Sequence, residues 1–306
     1  MTQTLPSSAP FLAVLQLPTA ATRIGRTVGQ LLLESRPAVQ AIFIVRACIA
    51  AGFPFRPSVH AAGLITGWSM LSVAIYLLNG VTDRLGDRVN GSGRPIATGA
   101  LLPRTALSAT VLLTVTGTMI CAAEDVRSLP LAAAFLALGC AYSTGPALKN
   151  SPVGFAIAIG GGAVLTYAIG WLAGGALRPA QLSFGLAMAA WVSVACAAKD
   201  FSDTEGDRVA GRRTWPVLLG RRRAAARLRS YAIVGSLLMV AVALFVAGSV
   251  WPAALVLVTG SVALGNCCAG SANSTTTSSR AVRRRPYRIF MSTQYCANVA
   301  LALSHP

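Results

Sequence analysis

Nine apolar runs, each about the length that carries a helix across a bilayer, follow one another along the chain at 37–54, 60–80, 104–122, 128–146, 152–174, 181–200, 229–249, 251–269 and 286–303. Backbone amides inside lipid find no water to bond, so segments of this kind are confined to helices or closed barrels. Unbroken apolarity over some twenty residues selects helices. Hydrophobic residues make up 54% of the 306 positions and charged ones only 11%, with a mean hydropathy of +0.62. The sequence predicts an all-α, polytopic membrane protein: a nine-helix transmembrane bundle.

The formal net charge is +17. A nucleic-acid partner is not expected, because the arginines fall in short clusters between apolar runs and not along one stripe or tail. Topology accounts for them better, since cytoplasmic loops collect Lys and Arg. With a cytoplasmic amino terminus, the inside segments hold two (Arg23, Arg26), four (Arg84, Arg88, Arg94, Arg104), one (Lys149), eight (Arg208 to Arg229) and five (Arg280 to Arg288), twenty of the 26 basic residues. The outside segments hold Arg56, Arg127 and Arg178, and Arg36, Arg46 and Lys199 lie within or at the ends of spans. The expected location is the plasma membrane, multi-pass, with the amino terminus inside.

Residues 1–25 read as a disordered tail and 26–306 as one transmembrane domain. No basic residue precedes Arg23, so no cleavable leader is expected. The polar stretch 270–285, GSANSTTTSSRAVRRR, reads as a flexible loop beside anionic membrane lipid. Seven cysteines lie mostly in apolar runs without a C-x-x-C pair, and there are only two histidines, so neither a disulfide framework nor a zinc site is expected.

Only nine side chains are acidic, and six of them fall within residues 83–87 and 200–207, both at the inside ends of even-numbered spans. Asn79, Asp83 and Asp87 are spaced i, i+4, i+8, and Asp200, Asp203 and Asp207 are spaced i, i+3, i+7, so each set lines one helix face. Like charges stacked near a membrane are unfavourable unless compensated. A divalent cation compensates them, and Mg²⁺ fits: it is hard, takes oxygen ligands and shares itself with phosphates. Pairing with nearby arginines such as Arg84, Arg88 and Arg208 is the plainer reading, but it gives no reason for the repeated helical spacing.

Arg94 lies in the glycine-containing loop GSGRPIATG, where backbone N–H groups and a guanidinium suit phosphate oxygens. The segment YSTGPALKN offers Tyr142 as a hydroxyl and Lys149 as a point charge. Lys199 either reaches phosphate or offsets Asp200. These groups together imply a ligand with a diphosphate head at the mouth and an apolar tail in the bundle.

From about residue 35 to 303 the chain resembles the UbiA superfamily of intramembrane prenyltransferases. The motif N-x-x-x-D-x-x-x-D is met by Asn79, Asp83 and Asp87, the second acidic motif by Asp200, Asp203 and Asp207 in KDFSDTEGDRVAG, and the Tyr and Lys loop by YSTGPALK. Gly80 departs from the pattern, because many members carry a second acid there. The resemblance implies an all-α bundle whose central cavity opens to the cytoplasmic face. It also implies two Mg²⁺ ions held by both motifs, an isoprenyl diphosphate donor bound by Arg94, Tyr142, Lys149 and Lys199, and catalytic roles for Asp83, Asp87, Asp203 and Asp207. The expected activity is prenyl transfer to a small, aromatic acceptor, with no obligate protein partner. The alternative is a terpene cyclase of the same superfamily, in which Trp171 or Trp191 could face a carbocation; packing is the plainer role for both tryptophans. Transport ranks last, because transporter acids lie near the midplane and these cluster at one face.

Overall fold

A computed structural model describes residues 20–52, 58–175, 178–272 and 280–304. Its helices are α1 (Ala20–Glu34), α2 (Pro37–Ala51), α3 (Val59–Thr82), α4 (Arg84–Val89), α5 (Pro95–Thr98), α6 (Pro103–Glu124) and α7 (Ser128–Ser143). They are followed by α8 (Pro152–Gly174), α9 (Pro179–Ala195), α10 (Asp200–Val209), α11 (Trp215–Phe245), α12 (Trp251–Ala272), α13 (Arg280–Arg283) and α14 (Arg285–Leu303). No strand occurs among the described residues. The apolar runs lie mainly on α2, α3, α6, α7, α8, α9, α11, α12 and α14; residues 53–54 of the first lie outside the described residues, and the sixth passes from α9 through a 3-10 turn into α10. Among the described residues six spans are long and apolar enough to cross a membrane: α3, α6, α8, Pro179–Val209, α11 and Gly248–Gly270; α2 and α7 are shorter apolar helices. Length and hydropathy alone thus identify six crossings, fewer than the nine expected.

The helix starts are written locally. Proline occupies the first or second position of α2, α5, α6, α8, α9, α11 and α14, where its missing N–H leaves no bond unmade. Ser58 and Ser151 cap α3 and α8 by accepting from Ala61 N and Gly154 N at 3.0 Å. The tail expected over 1–25 is helical from Ala20, and residues 1–19 lie outside the described residues. So do Arg56 and residues 273–279 of the polar loop, whose flanks belong to α12 and α13.

Two apolar cores meet at α8. One joins α8, α9, α11, α12 and α14 around Trp191, Phe184 and Leu257; the other joins α2, α3, α7 and α8 around Trp68, Phe135 and Leu64. On α6 the exposed Val111, Leu112, Val115 and Met119 form an outward stripe, as suits a helix facing lipid. Small residues set the closest approaches. A Cβ on Gly170 or Gly174 of α8 would lie 2.3 Å or 2.2 Å from the carbonyl oxygens of Ala47 and Ala51 on α2. Gly170→Ala is therefore expected to push α2 and α8 apart and cost about 1–3 kcal/mol. Gly25→Ala meets nothing within 4 Å and should hold or slightly raise stability through helix propensity. Thermal unfolding in detergent followed by circular dichroism compares the two, and equal melting temperatures would count against this contact.

Candidate active site

Both acidic motifs sit where a long helix gives way to a short one. The ladder runs unbroken from α3 into α4, with Asp83 N donating to Asn79 O and Asp87 N to Asp83 O, both at 2.9 Å. Asn79, Asp83 and Asp87 therefore stay in line although the helix is interrupted at Asp83. On the other side a 3-10 turn, Cys196–Lys199, leads from α9 into α10, which begins at Asp200.

The two segments repeat each other. GDRVNG (86–91) and GDRVAG (206–211) end in the same turn: Ser92 N donates to Asp87 O and Arg212 N to Asp207 O, both at 2.8 Å. Gly91 and Gly211 have φ of 62° and 71°, a left-handed conformation that favours glycine. The copies pack on each other through their first glycines. A Cβ on Gly206 would lie 2.4 Å from Gly86 O, and Gly206 N donates to Asn90 Oδ1 at 2.8 Å. The repeat is legible in the sequence, and the motif reading passed over it.

Compensation of the acids differs from expectation. Asp83 is buried and accepts from Lys149 Nζ at 2.7 Å, from Asn79 Nδ2 at 3.0 Å and from Arg212 Nη2. The other nitrogen of Arg212, Nη1, reaches Asp207 Oδ1 at 3.2 Å, so one guanidinium spans both motifs. Burial alone would raise the Asp83 pKa, but Arg212 and Lys149 outweigh it and hold the carboxyl far below its ordinary range. Burial pulls Lys149 down from its ordinary value, opposed by Asp83. Asp200 is buried with Lys199 at 4.0 Å, and Asp203 accepts from Ser202 Oγ at 2.9 Å. Ion pairing, the reading placed second, is thus present, though not from the neighbours expected: Arg88 donates to Ala97 O and Arg208 pairs with Glu205.

Among the described residues no three acidic, histidine or cysteine side chains converge as a metal cluster. The donor set nonetheless suits Mg²⁺, because every candidate ligand is a hard oxygen. Asn79 Oδ1 and Asp207 Oδ2 are moreover buried without a hydrogen-bond partner.

Two residues that motif reading missed organise this layer. Arg212 is one. The other is Glu34, the lone acid before residue 83, with 0% exposure. Glu34 Oε1 lies 2.8 Å from Arg94 Nη2, its Oε2 accepts from Ile96 N at 2.9 Å, and Arg94 Nη1 reaches Asp87 at 2.8 Å. A Cβ on Gly80 would stand 2.1 Å from Glu34 Oε1. The carboxylate from α1 occupies the space that a side chain at position 80 would need. Burial raises the Glu34 pKa, opposed by Arg94.

Beneath the layer lies a cavity of about 940 Å³, counting its open mouth. Asn79, Tyr142, Lys199 and Arg36 line it together with apolar side chains such as Phe43 and Phe135. Lys199 Nζ donates to Tyr142 OH at 3.2 Å and sits 4.7 Å from the Phe155 ring centre, so its ammonium faces the cavity as well as Asp200. Asp83, Asp87, Asp207 and Arg94 do not line the cavity, Asp83 and Asp87 standing one and two turns beyond Asn79, and Lys149 and Asp200 border a smaller neighbouring pocket. Neither tryptophan lines the cavity. Trp191 is buried and donates to Ser261 Oγ at 2.9 Å, and Trp171 stacks on Tyr167; both pack.

A helical membrane bundle whose two acid-bearing turns meet over an apolar cavity is an integral membrane protein with a chamber polar at its mouth and apolar below. Residues 38–293 match the model of the UbiA prenyltransferase family, and the chain belongs to that family: it is a prenyltransferase. It is 32% identical over 198 residues to the digeranylgeranylglyceryl phosphate synthase of Halobacterium salinarum, covering 62% of this chain and 67% of that one. It is 29% identical over 208 residues to the Natronomonas pharaonis synthase of the same name, with 62% and 72% covered. The fold is that of a UbiA homologue from Archaeoglobus fulgidus solved with GPP and Mg²⁺, at a TM-score of 0.66 and 20% identity over 89% of this chain and 99% of that one.

The Glu34 geometry makes a specific prediction. Gly80→Asp places two carboxylates on one spot and should destabilise the protein by about 3–5 kcal/mol; Glu34→Ala leaves Arg94 its bond to Asp87 but removes its second carboxylate and the acceptor of Ile96 N, and should cost about 1–3 kcal/mol. Combining them should recover much of that loss, because the new aspartate can reach Arg94. Melting temperatures of the four proteins test this, and strictly additive losses would refute it.

Proposed function

We propose that the protein ionises an isoprenyl diphosphate with the help of Mg²⁺ and transfers the prenyl group to a second substrate within the membrane, its mouth facing the cytoplasm. The observation that carries this reading is the polar roof on an apolar cavity: paired acids and cations meet Asn79, Tyr142 and Lys199 at the mouth, with aromatic and aliphatic walls below. Asn79, Asp83, Asp87, Asp200, Asp203 and Asp207 are the residues that would hold two metal ions. Bound Mg²⁺ would neutralise charge gathering on the departing diphosphate.

The chain supplies the rest. Arg94, Lys149 and Arg212, now bound to carboxylates, can turn their donors to diphosphate oxygens. The cavity walls hold the tail and keep water from the allylic carbon. The C–O bond breaks with its electron pair leaving on the diphosphate, a nucleophilic atom of the acceptor bonds to C1, and the acceptor gives up a proton to the leaving group or solvent. Two acceptor classes fit: the electron-rich aromatic ring expected from the sequence, and a glyceryl phosphate lipid of the kind in the relatives' names.

Transfer is favoured over cyclisation because Arg36 and Arg46 both line the cavity. Carbocations migrating along a folded tail would meet fixed positive charge in a poorly screened interior. Incubation with Mg²⁺ and C10, C15 or C20 prenyl diphosphates, without acceptor, should therefore give no cyclic product by gas chromatography and mass spectrometry. A cyclic terpene lost in Asp83→Asn would overturn transfer. With an acceptor present, Asp83→Asn should lower turnover by about 10²-fold or more, and EDTA should abolish it. Arg212→Ala should raise the donor KM about tenfold, with part of the loss restored by Arg212→Lys; an unchanged KM would remove Arg212 from the site.

A further inference from the structure

Arg46 sits in the third turn of α2, about 15 Å along the helix from Arg36, and lines the cavity with its side chain 5% exposed. A guanidinium stays charged in any protein, and burying it without a counter-ion is strongly unfavourable. None of the ion pairs among the described residues includes Arg46. Its Nη2 donates to the neutral Gln294 Oε1 at 2.6 Å, the neutral Tyr167 hydroxyl is a second hydrogen-bond partner, and its Nε is buried without one. The acids of the roof are taken by Arg94, Lys149 and Arg212.

The group is also held in place. Gln294 is 2% exposed, its backbone oxygen accepts from Asn298 Nδ2 at 2.8 Å, and Asn298 Oδ1 accepts from Tyr167 OH at 2.9 Å. Phe43 lies under the guanidinium, 5.9 Å from its carbon to the ring centre. A positioned, unneutralised cation in the wall of a ligand cavity is an unfinished ion pair. The hydrocarbon tail of a prenyl donor cannot finish it, and the diphosphate has its own cations at the mouth.

We propose that Arg46, held by Gln294, is an anion subsite inside the cavity, and that the second substrate carries an acidic oxygen group, a carboxylate or a phosphate monoester, that binds there. The proposal rests on the prenyl-transfer reading in one respect only: that reading requires a second substrate. Either acceptor class can bring this chemistry, as an aromatic acid or as a glyceryl phosphate lipid. Charge recognition at this depth adds selectivity, because a neutral analogue leaves the guanidinium buried and unpaired.

The test uses the full chain in nanodiscs, without donor, and two matched pairs of probes. One pair is 4-hydroxybenzoate and its methyl ester; the other is a geranylgeranylated glyceryl phosphate and its dephosphorylated alcohol. The acid of one pair should bind about tenfold or more tighter than its neutral twin, and the pair that discriminates identifies the source of the anion. Arg46→Met should bring that ratio to about one, and Arg46→Lys should keep part of it. Gln294→Glu supplies an internal counter-ion, so it should raise the melting temperature and erase the acid preference. A purely structural Arg46 would show the first effect without the second. Failure of both acids to outbind their neutral twins, or an acid preference that survives Arg46→Met, overturns the subsite. If the acid preference holds but no prenyl diphosphate binds, the subsite stands and the prenyl-transfer reading falls.

Discussion

Everything at the mouth of this molecule depends on a contact between two backbones. Gly206 lies so close to the backbone of Gly86 that no side chain fits at position 206, and that contact brings the ends of two distant spans within the reach of one arginine. A Cβ on Gly206 would collide with the Gly86 carbonyl, separate α4 from α10 and break the bridge from Asp83 through Arg212 to Asp207, whereas one on Gly86 would meet Gly206 O at 3.3 Å and need only a small shift. The acids would then be two isolated, costly stripes at a membrane surface. Close approach comes first, and electrostatic closure follows from it.

Closure also explains how the site can be both buried and polar. Asp83, Asp87, Arg94, Lys149 and Arg212 would each be unfavourable alone at this depth, yet every one has an oppositely charged partner within hydrogen-bond distance. Such a layer adds little net stability over apolar packing, because desolvation offsets most of the attraction. Its value lies in geometry: it holds several acids and cations in register above an apolar chamber, and each partner can be exchanged for a substrate oxygen.

Much of this was legible in the sequence. The apolar runs located the helices, and the spacing of Asn79, Asp83, Asp87, Asp200, Asp203 and Asp207 marked the two motifs. Boundaries were less legible where composition and conformation part ways. The arginine-rich stretch 221–229 reads as a loop but is helical within α11, which turns at Gly220 with φ of 74°. The charge partners were harder still. Helical periodicity reveals neighbours one turn away, whereas Glu34 meets Ile96 across 62 positions and Arg212 meets Asp83 across 129. Only the tertiary fold makes those neighbours. The repeated GDRV-x-G segments were a further clue, left unread, that the two motifs form a matched pair.

The burial of these ion pairs separates two kinds of electrostatics in one protein. The side chains of Asp83, Lys149 and Arg212 are 6–11% exposed, whereas Glu205 and Arg208 pair at 66% and 57%. Mobile ions screen exposed charges over about 8–10 Å at ordinary ionic strength but barely enter a desolvated layer. The geometry of the mouth is thus insulated from the salinity of the medium. Attraction between the outer arginines and an anionic membrane surface instead rises and falls with it.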